Sequence, residues 1–223
     1  MERHTLLIVL AVTLLALAIA MLLPGGRPPD REPLLPWKIG LDPDGSTQVF
    51  GLTLGHSTLA DARLQLQADA TVNLFASPAG TYYLEAYFDR VSLSGLKANL
   101  VLSLDLPQPQ AEAMFERGLR ISQLGSGAKK VDLAAQDLDT VVHLPIRLIT
   151  YLPVANLDEP LIRRRFGEPQ RLIPEPDSET VHWLYPEQGL DIALDPQGPE
   201  VFQYLRPADF HEILAPLERQ TPD

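Results

Sequence analysis

The first pattern along the chain is an unbroken apolar run. Thr5 to Leu23 reads TLLIVLAVTLLALAIAMLL, 19 residues without a charge. A helix of that length spans about 28 Å at about 1.5 Å per residue, close to the roughly 30 Å hydrocarbon core of a bilayer. Pro24-Gly25-Gly26 would stop it. Residues 1–23 are therefore predicted to form a transmembrane anchor. The competing reading is a cleaved signal peptide, because Ala18-Ile19-Ala20 fits a small-x-small cleavage site. Against cleavage, the apolar run continues through Met21-Leu22-Leu23 and exceeds the usual secretory core of about 7–15 residues. Residues 24–36 carry Pro24, Pro28, Pro29, Pro33 and Pro36, which exclude a helix or a central strand. They are predicted to form a semi-extended stalk.

Beyond residue 36 the hydrophobic period switches between that of a helix and that of a strand. Val49 to Gly55 reads as extended, and Ser57 or Thr58 suits the N-cap of a helix over Leu59 to Leu66. Strands are predicted at Thr71 to Ala76, Thr81 to Phe88 and Leu96 to Leu104; the last alternates Leu96, Ala98, Leu100, Leu102 and Leu104 on one face. That alternation points to an antiparallel sheet with one buried face. Pro107 to Leu124 reads as a helix on the spacing of Ala111, Met114, Phe115, Leu119 and Ile121, while Val131 to Asp139 is ambiguous. Val141 to Tyr151 reads as extended. A helix capped by Asn156 or Asp158 carries Leu161, Ile162 and Phe166 and stops at Gly167. Strands follow at Val181 to Tyr185, Gly189 to Asp195 and Glu200 to Leu205, then a short helix over Asp209 to Leu214. The fold class is thus α+β: an N-terminal transmembrane helix, then helices packed on antiparallel sheet. The predicted divisions are a first α+β unit over 37–106, a connecting helix and strand over 107–155, a second unit over 156–215, and a tail over 216–223. Both units run helix, loop, then three strands, so they are either an internal duplication or a chance recurrence of a common pattern.

Composition narrows the function classes. The 223 residues carry 18 Lys+Arg against 29 Asp+Glu, a net charge of −11, which repels phosphate and argues against general nucleic-acid binding. Cysteine is absent, which removes disulfides, thiol nucleophiles and a lipid-modified N-terminal cysteine. Before the apolar run stands Arg3, and after it Arg27, Arg31 and Lys38. The count does not favour a cytoplasmic N-terminus, but the four-residue leading tail favours export of the downstream chain. The expected location is the inner membrane, single-pass, with a periplasmic C-terminal domain.

The second unit carries a recognisable pattern. A helix ends in Phe166-Gly167-Glu168-Pro169, His182-Trp183-Leu184-Tyr185 forms a strand, and Leu190 to Asp195 leads into Pro196-Gln197-Gly198. Over about 45 residues of the 223 this resembles the SmpA/OmlA-type lipoproteins of the outer-membrane barrel-assembly machine, and more broadly the repeats of β-lactamase-inhibitor protein. The resemblance implies a periplasmic, noncatalytic protein-binding module with helices packed on an antiparallel sheet, here in tandem. The family's lipid-bearing cysteine is missing, so its outer-membrane lipoprotein role does not carry over.

Candidate chemistry is sparse. Gly55-His56-Ser57-Thr58-Leu59 lacks the closing glycine of a nucleophile turn, so Ser57 reads as a cap. His4, His56, His143, His182 and His211 form no pair at helical spacing that would present two metal ligands together. Asp42-Pro43-Asp44-Gly45 reads as a turn rather than a calcium loop, and Glu85 with Asp89, or Asp191 with Asp195, as solvated carboxylates rather than an acid–base pair. No phosphate-binding glycine loop occurs, and no catalytic, metal or cofactor site is assigned. Two features stand out as partner contacts: Arg163-Arg164-Arg165, a basic run in an acidic chain, and the outward aromatic face of the Tyr82 to Phe88 strand, with Tyr82 and Tyr87 as contacts. The expected function is a noncatalytic binding or scaffold module for another envelope protein, held at the membrane through residues 5–23 and without a nucleic-acid partner. The alternatives are a carrier or sensor of an apolar ligand or lipid, and an enzyme with a dispersed carboxylate or histidine site.

Overall fold

The computed structural model describes residue 13 and residues 32–176 and 178–220. The predicted anchor over residues 5–23, its cleavage alternative and most of the predicted stalk lie outside the described residues. Among the described residues no helix is long and apolar enough to cross a membrane.

The domain begins earlier than predicted. Residues 33–36 pack on it: the Leu34 N–H donates to Ser94 Oγ (2.7 Å) and the Tyr204 hydroxyl donates to the Pro36 carbonyl (2.9 Å). Proline carbonyls accept as well as any other, so a Pro-rich segment can be docked through them. A small sheet follows, with β1 (Gly40–Leu41), β2 (Thr47–Val49) and β3 (Leu52–Thr53) in order. The turn joining β1 to β2 is the predicted one, closed by the Ser46 N–H on Asp42 Oδ1 and Asp44 Oδ1, with Gly45 at φ +85°.

The first half of the chain then lays down α1 (Leu59–Leu66), β4 (Thr71–Ala76), β5 (Tyr82–Leu93), β6 (Leu96–Leu104), α2 (Gln108–Glu116), β7 (Arg120–Gln123), β8 (Lys129–Asp132), α3 (Ala135–Val141) and β9 (Ile146–Pro153). The second half is α4 (Glu159–Phe166), β10 (Arg171–Pro174), β11 (Val181–Tyr185), β12 (Leu190–Leu194), β13 (Val201–Leu205) and α5 (His211–Gln220). The helix predicted over Pro107 to Leu124 stops at Glu116 and becomes the edge strand β7. Leu119 sits at helical spacing from Phe115 and Ile121 from Met114, but both lie exposed beside that edge; a short apolar spacing does not by itself separate helix from strand. At α1 the capping box is complete, Thr58 Oγ1 receiving the Asp61 N–H and the Asp61 carboxylate receiving that of Thr58.

All ten strands from β4 to β13 join one antiparallel sheet in the order β10-β11-β12-β13-β9-β6-β5-β4-β8-β7. The second unit therefore holds four strands rather than three. Its additional strand, β10, carries only Leu172 and Ile173 between Arg171 and Pro174, too short a run to show alternation. The same order occurs twice: α1 with β4, β5, β6 and β9, and α4 with β10, β11, β12 and β13. The two fourth strands, β9 and β13, pair with each other, Phe202 against Tyr151 and Tyr204 against Ile149. The first half differs by an insertion, α2 to α3, between its third and fourth strands.

Period-2 alternation divides the sheet into two faces. One carries Phe88, Leu100, Tyr151 and Phe202 in a cross-strand row and is covered by α1, α2, α3 and α4. On this face Phe50, at φ +54°, is wedged between Tyr151 (5.5 Å) and Tyr204 (5.6 Å). The other face carries Leu148, Leu184 and Leu205 and is covered over that half by Phe210 and by α5, through Ile213, Leu214 and Leu217. Its remaining half, with Tyr83 and Tyr87, is open. The turn before β12 needs glycine: Gly189 lies at φ +63°, and a Cβ there would come within 1.9 Å of the Leu205 carbonyl oxygen. Gly189→Ala is expected to cost at least about 1–2 kcal/mol from the left-handed backbone alone, read as a lowered urea midpoint at unchanged slope.

Candidate binding cleft

Helix α4 lies at the β10 end of the sheet, and its termini explain its position. Asp158 caps it, its Oδ1 accepting the Leu161 N–H (2.9 Å), with Glu159 and Pro160 in the first turn. Arg163, Arg164 and Arg165 fill the last turn, where cations suit the helix dipole. Gly167, at φ +83°, closes it, and the Tyr185 hydroxyl donates to the Gly167 carbonyl (3.0 Å). Ile162 and Phe166 are buried beneath, Phe166 resting on Phe202 (centroids 5.6 Å apart), Tyr185 and Trp37 (6.4 Å each).

The arginine run is therefore not a free basic patch. The Arg163 guanidinium stacks over the Trp183 ring at 4.4 Å and pairs with Glu159 (2.9 Å) and Glu168. Arg165 stacks over Trp37 at 4.6 Å. Arg164, exposed like Arg165, has neither an ion pair nor a ring contact among the described residues. Two of the three charges are thus committed within the domain, Arg163 to the sheet through Trp183 and Arg165 to the segment before β1 through Trp37, as guanidinium–aromatic stacking favours. The aromatic strand divides as its alternation requires. Tyr82 packs on Phe115 (5.4 Å) and exchanges two hydrogen bonds with the Gln108 side chain (2.9 Å each), which ties it to α2. Tyr87 stands on the open face, its hydroxyl donating to Asp89 (3.2 Å), far along the sheet order from α4. The predicted contacts Arg163, Arg164, Arg165, Tyr82 and Tyr87 do not converge on one surface.

Beside α4 opens a cleft of about 430 Å³. Its apolar wall comes from Leu157, Leu172, Val181, Trp183, Leu194 and Pro196, and it is lined by five carboxylates, Asp158, Glu159, Glu179 and Asp195 at the rim and the buried Glu200, against the single guanidinium of Arg163. Several of these carboxylates already accept protein donors. Asp158 caps α4, Glu200 accepts the buried Leu157 N–H (3.1 Å), Asp195 accepts the Gln197 N–H (2.8 Å) and Glu179 the Gln197 side chain (3.0 Å). These bonds fix the loops that frame the cleft and leave its field negative. Strand alternation places Trp183 and Leu194 on the sides of their strands. It could not show the cleft, because Asp158, Glu179 and Glu200 come from three separate loops.

Two polar groupings join residues that sequence spacing kept apart. His56 Nε2 lies 2.6 Å from Asp44 Oδ2 and 3.8 Å from Asp42 Oδ2, and ligand atoms of the three residues fall within 4.8 Å of one another, so this trio could hold a cation. Asp44 is held well below the usual carboxylate range by its contacts with Asp42, Ser46 and His56. His182 joins two acids on the α5 side of the sheet, with Nδ1 2.8 Å from Asp191 Oδ2 and Nε2 3.1 Å from Glu175 Oε1. Asp191 is fully buried against His182, while Asp195 lines the cleft. No protein-family model, no curated protein and no solved structure matches the chain.

Proposed function

We propose that the protein is a noncatalytic binding module, anchored in the inner membrane by residues 5–23, with its α+β domain in the periplasm, where it holds another envelope protein. The observation that carries the reading is the cleft beside α4: an aromatic and aliphatic wall with a rim of carboxylates whose hydrogen bonds are spent on fixing its own loops. Such carboxylates suit a preformed recognition surface rather than proton transfer, which needs groups free to reach a reacting atom. Anchoring is supported by the uninterrupted apolar run and the prolines after it. The tandem SmpA/OmlA-like reading belongs to the same proposal, and the recurrence of a helix with four antiparallel strands in both halves supports it.

The test has two parts. The full chain is expected in the membrane fraction, resistant to high salt, and to become soluble when residues 1–36 are removed. A mature chain beginning at Met21 would replace the anchor with a signal peptide. Affinity capture of the full chain from solubilised membranes is expected to retain a defined set of envelope proteins. Capture of none would overturn the binding-module reading.

A further inference from the structure

The cleft also specifies what it can hold. Five carboxylates face one guanidinium, and that guanidinium is already stacked on Trp183 and paired with Glu159 and Glu168. A ligand entering here meets a negative rim over an apolar wall, inside a chain of net charge −11. An acidic partner is repelled at both ranges. A lysine or arginine side chain fits both parts, its methylene stem on Leu172, Val181 and Leu194 and its charged head among Glu179, Asp195 and Glu200.

A second feature says how that side chain is carried. β10 is the outermost strand at this end of the sheet, and Leu172 on it is 52% exposed while also lining the cleft. The Glu175 N–H donates to the Thr180 carbonyl (3.0 Å), and bonded pairs alternate along an antiparallel ladder. Ile173 and Arg171 therefore turn their backbone groups toward β11, and Leu172 turns its N–H and C=O outward. The next outward position is Pro174, which has no N–H to offer. The open edge is thus one residue wide. A strand pairing there places the side chain opposite Leu172 on the face of Leu172 and its β11 neighbour Trp183, which is the face of the cleft.

We propose that the cleft receives a lysine or arginine side chain from an extended segment of the partner protein, paired through its backbone with Leu172 at the β10 edge. This rests on the binding-module reading and adds to it the chemistry of the partner.

The test uses the full chain in detergent and labelled seven-residue peptides of alternating Thr and Val, differing only at the central residue: Arg, Lys, citrulline or Glu. Fluorescence anisotropy is expected to show saturable binding of the Arg and Lys peptides. Citrulline, which keeps the shape and loses the charge, should bind about tenfold or more weakly, as loss of a charge-assisted hydrogen bond predicts, and the Glu peptide should not bind. Rising salt should weaken the Arg peptide. Methylation of its central amide nitrogen should abolish binding without touching the protein. The double variant Glu179→Gln, Asp195→Asn should lose the preference for Arg over citrulline while keeping its unfolding midpoint. Equal binding of Arg and citrulline, indifference to the amide methylation, or no saturation at millimolar peptide would overturn the proposal. Captured envelope proteins that the double variant still retains would then leave the binding-module reading standing, with its contact elsewhere.

Discussion

Replacing His182 by alanine is expected to lower the unfolding free energy by about 3–5 kcal/mol, the usual cost of removing one partner from a buried ion pair. Its partner Asp191 is completely buried under α5, and Asp191 Oδ1 has no hydrogen-bond partner among the described residues. Without His182 Nδ1 at 2.8 Å the carboxylate would be left with no donor at either oxygen. Urea denaturation followed by circular dichroism reads the loss. The double replacement His182→Leu, Asp191→Leu should recover much of it, because an apolar pair leaves no orphaned charge. A double variant no more stable than His182→Ala would show that packing, not charge, sets the cost. The same pair makes stability depend on pH. Desolvation alone would pull the His182 pKa down, but the hydrogen bonds and charges of Asp191 and Glu175 outweigh it and hold the imidazolium above its ordinary value. A histidine raised in the folded state stabilises fully below its unfolded pKa of about 6.5 and loses that contribution as pH climbs through the folded value. Stability from this group should therefore fall as pH rises above the ordinary histidine value of about 6.5, and the fall should vanish in His182→Leu, Asp191→Leu.

Phe166→Ala should be comparably costly, about 3–5 kcal/mol for a large aromatic ring removed from a core. Phe166 is 8% exposed and is the only α4 ring in contact with Phe202, Tyr185 and Trp37 at once. It fastens the cleft-forming helix to the sheet. A loss below about 1 kcal/mol would mean that Trp37 and Leu161 close over the gap. Phe166→Leu, which keeps most of the volume, should cost much less, and comparison of the two separates cavity formation from loss of ring contacts.

The chain order of local elements was legible wherever strong periodicity met a specific terminator. β6 alternates over nine residues, α1 begins at a Thr58 that caps it, and α4 runs from Asp158 to Gly167. Each of these signals is local, acting within one or two turns of helix or one pleated run, so it can be read without knowing what packs on it. The strength of the arginine run as a feature was legible too, but not its use. Whether Arg163 and Arg165 face a partner or lie on Trp183 and Trp37 depends on aromatic rings 20 and 128 positions away along the chain.

The remaining features depend on which faces become covered when the whole chain packs. Asp191 sits in an alternating strand at a position that reads as solvated, and it would be solvated on a one-layer sheet. It is buried because α5 folds back over that half of the sheet, and it is tolerated there because the register of β11 on β12 brings His182 beside it. Tyr87, at an equivalent outward position of β5, stays exposed because nothing described covers its half. The cleft is of the same kind. Its acids come from three loops and its wall from strand positions, joined when β9 pairs with β13 and the two halves become one sheet. Alternation in the sequence assigns residues to two sides of a strand. Only the packing of the whole chain determines which side meets protein, which meets water, and where a gap between them is left for a partner.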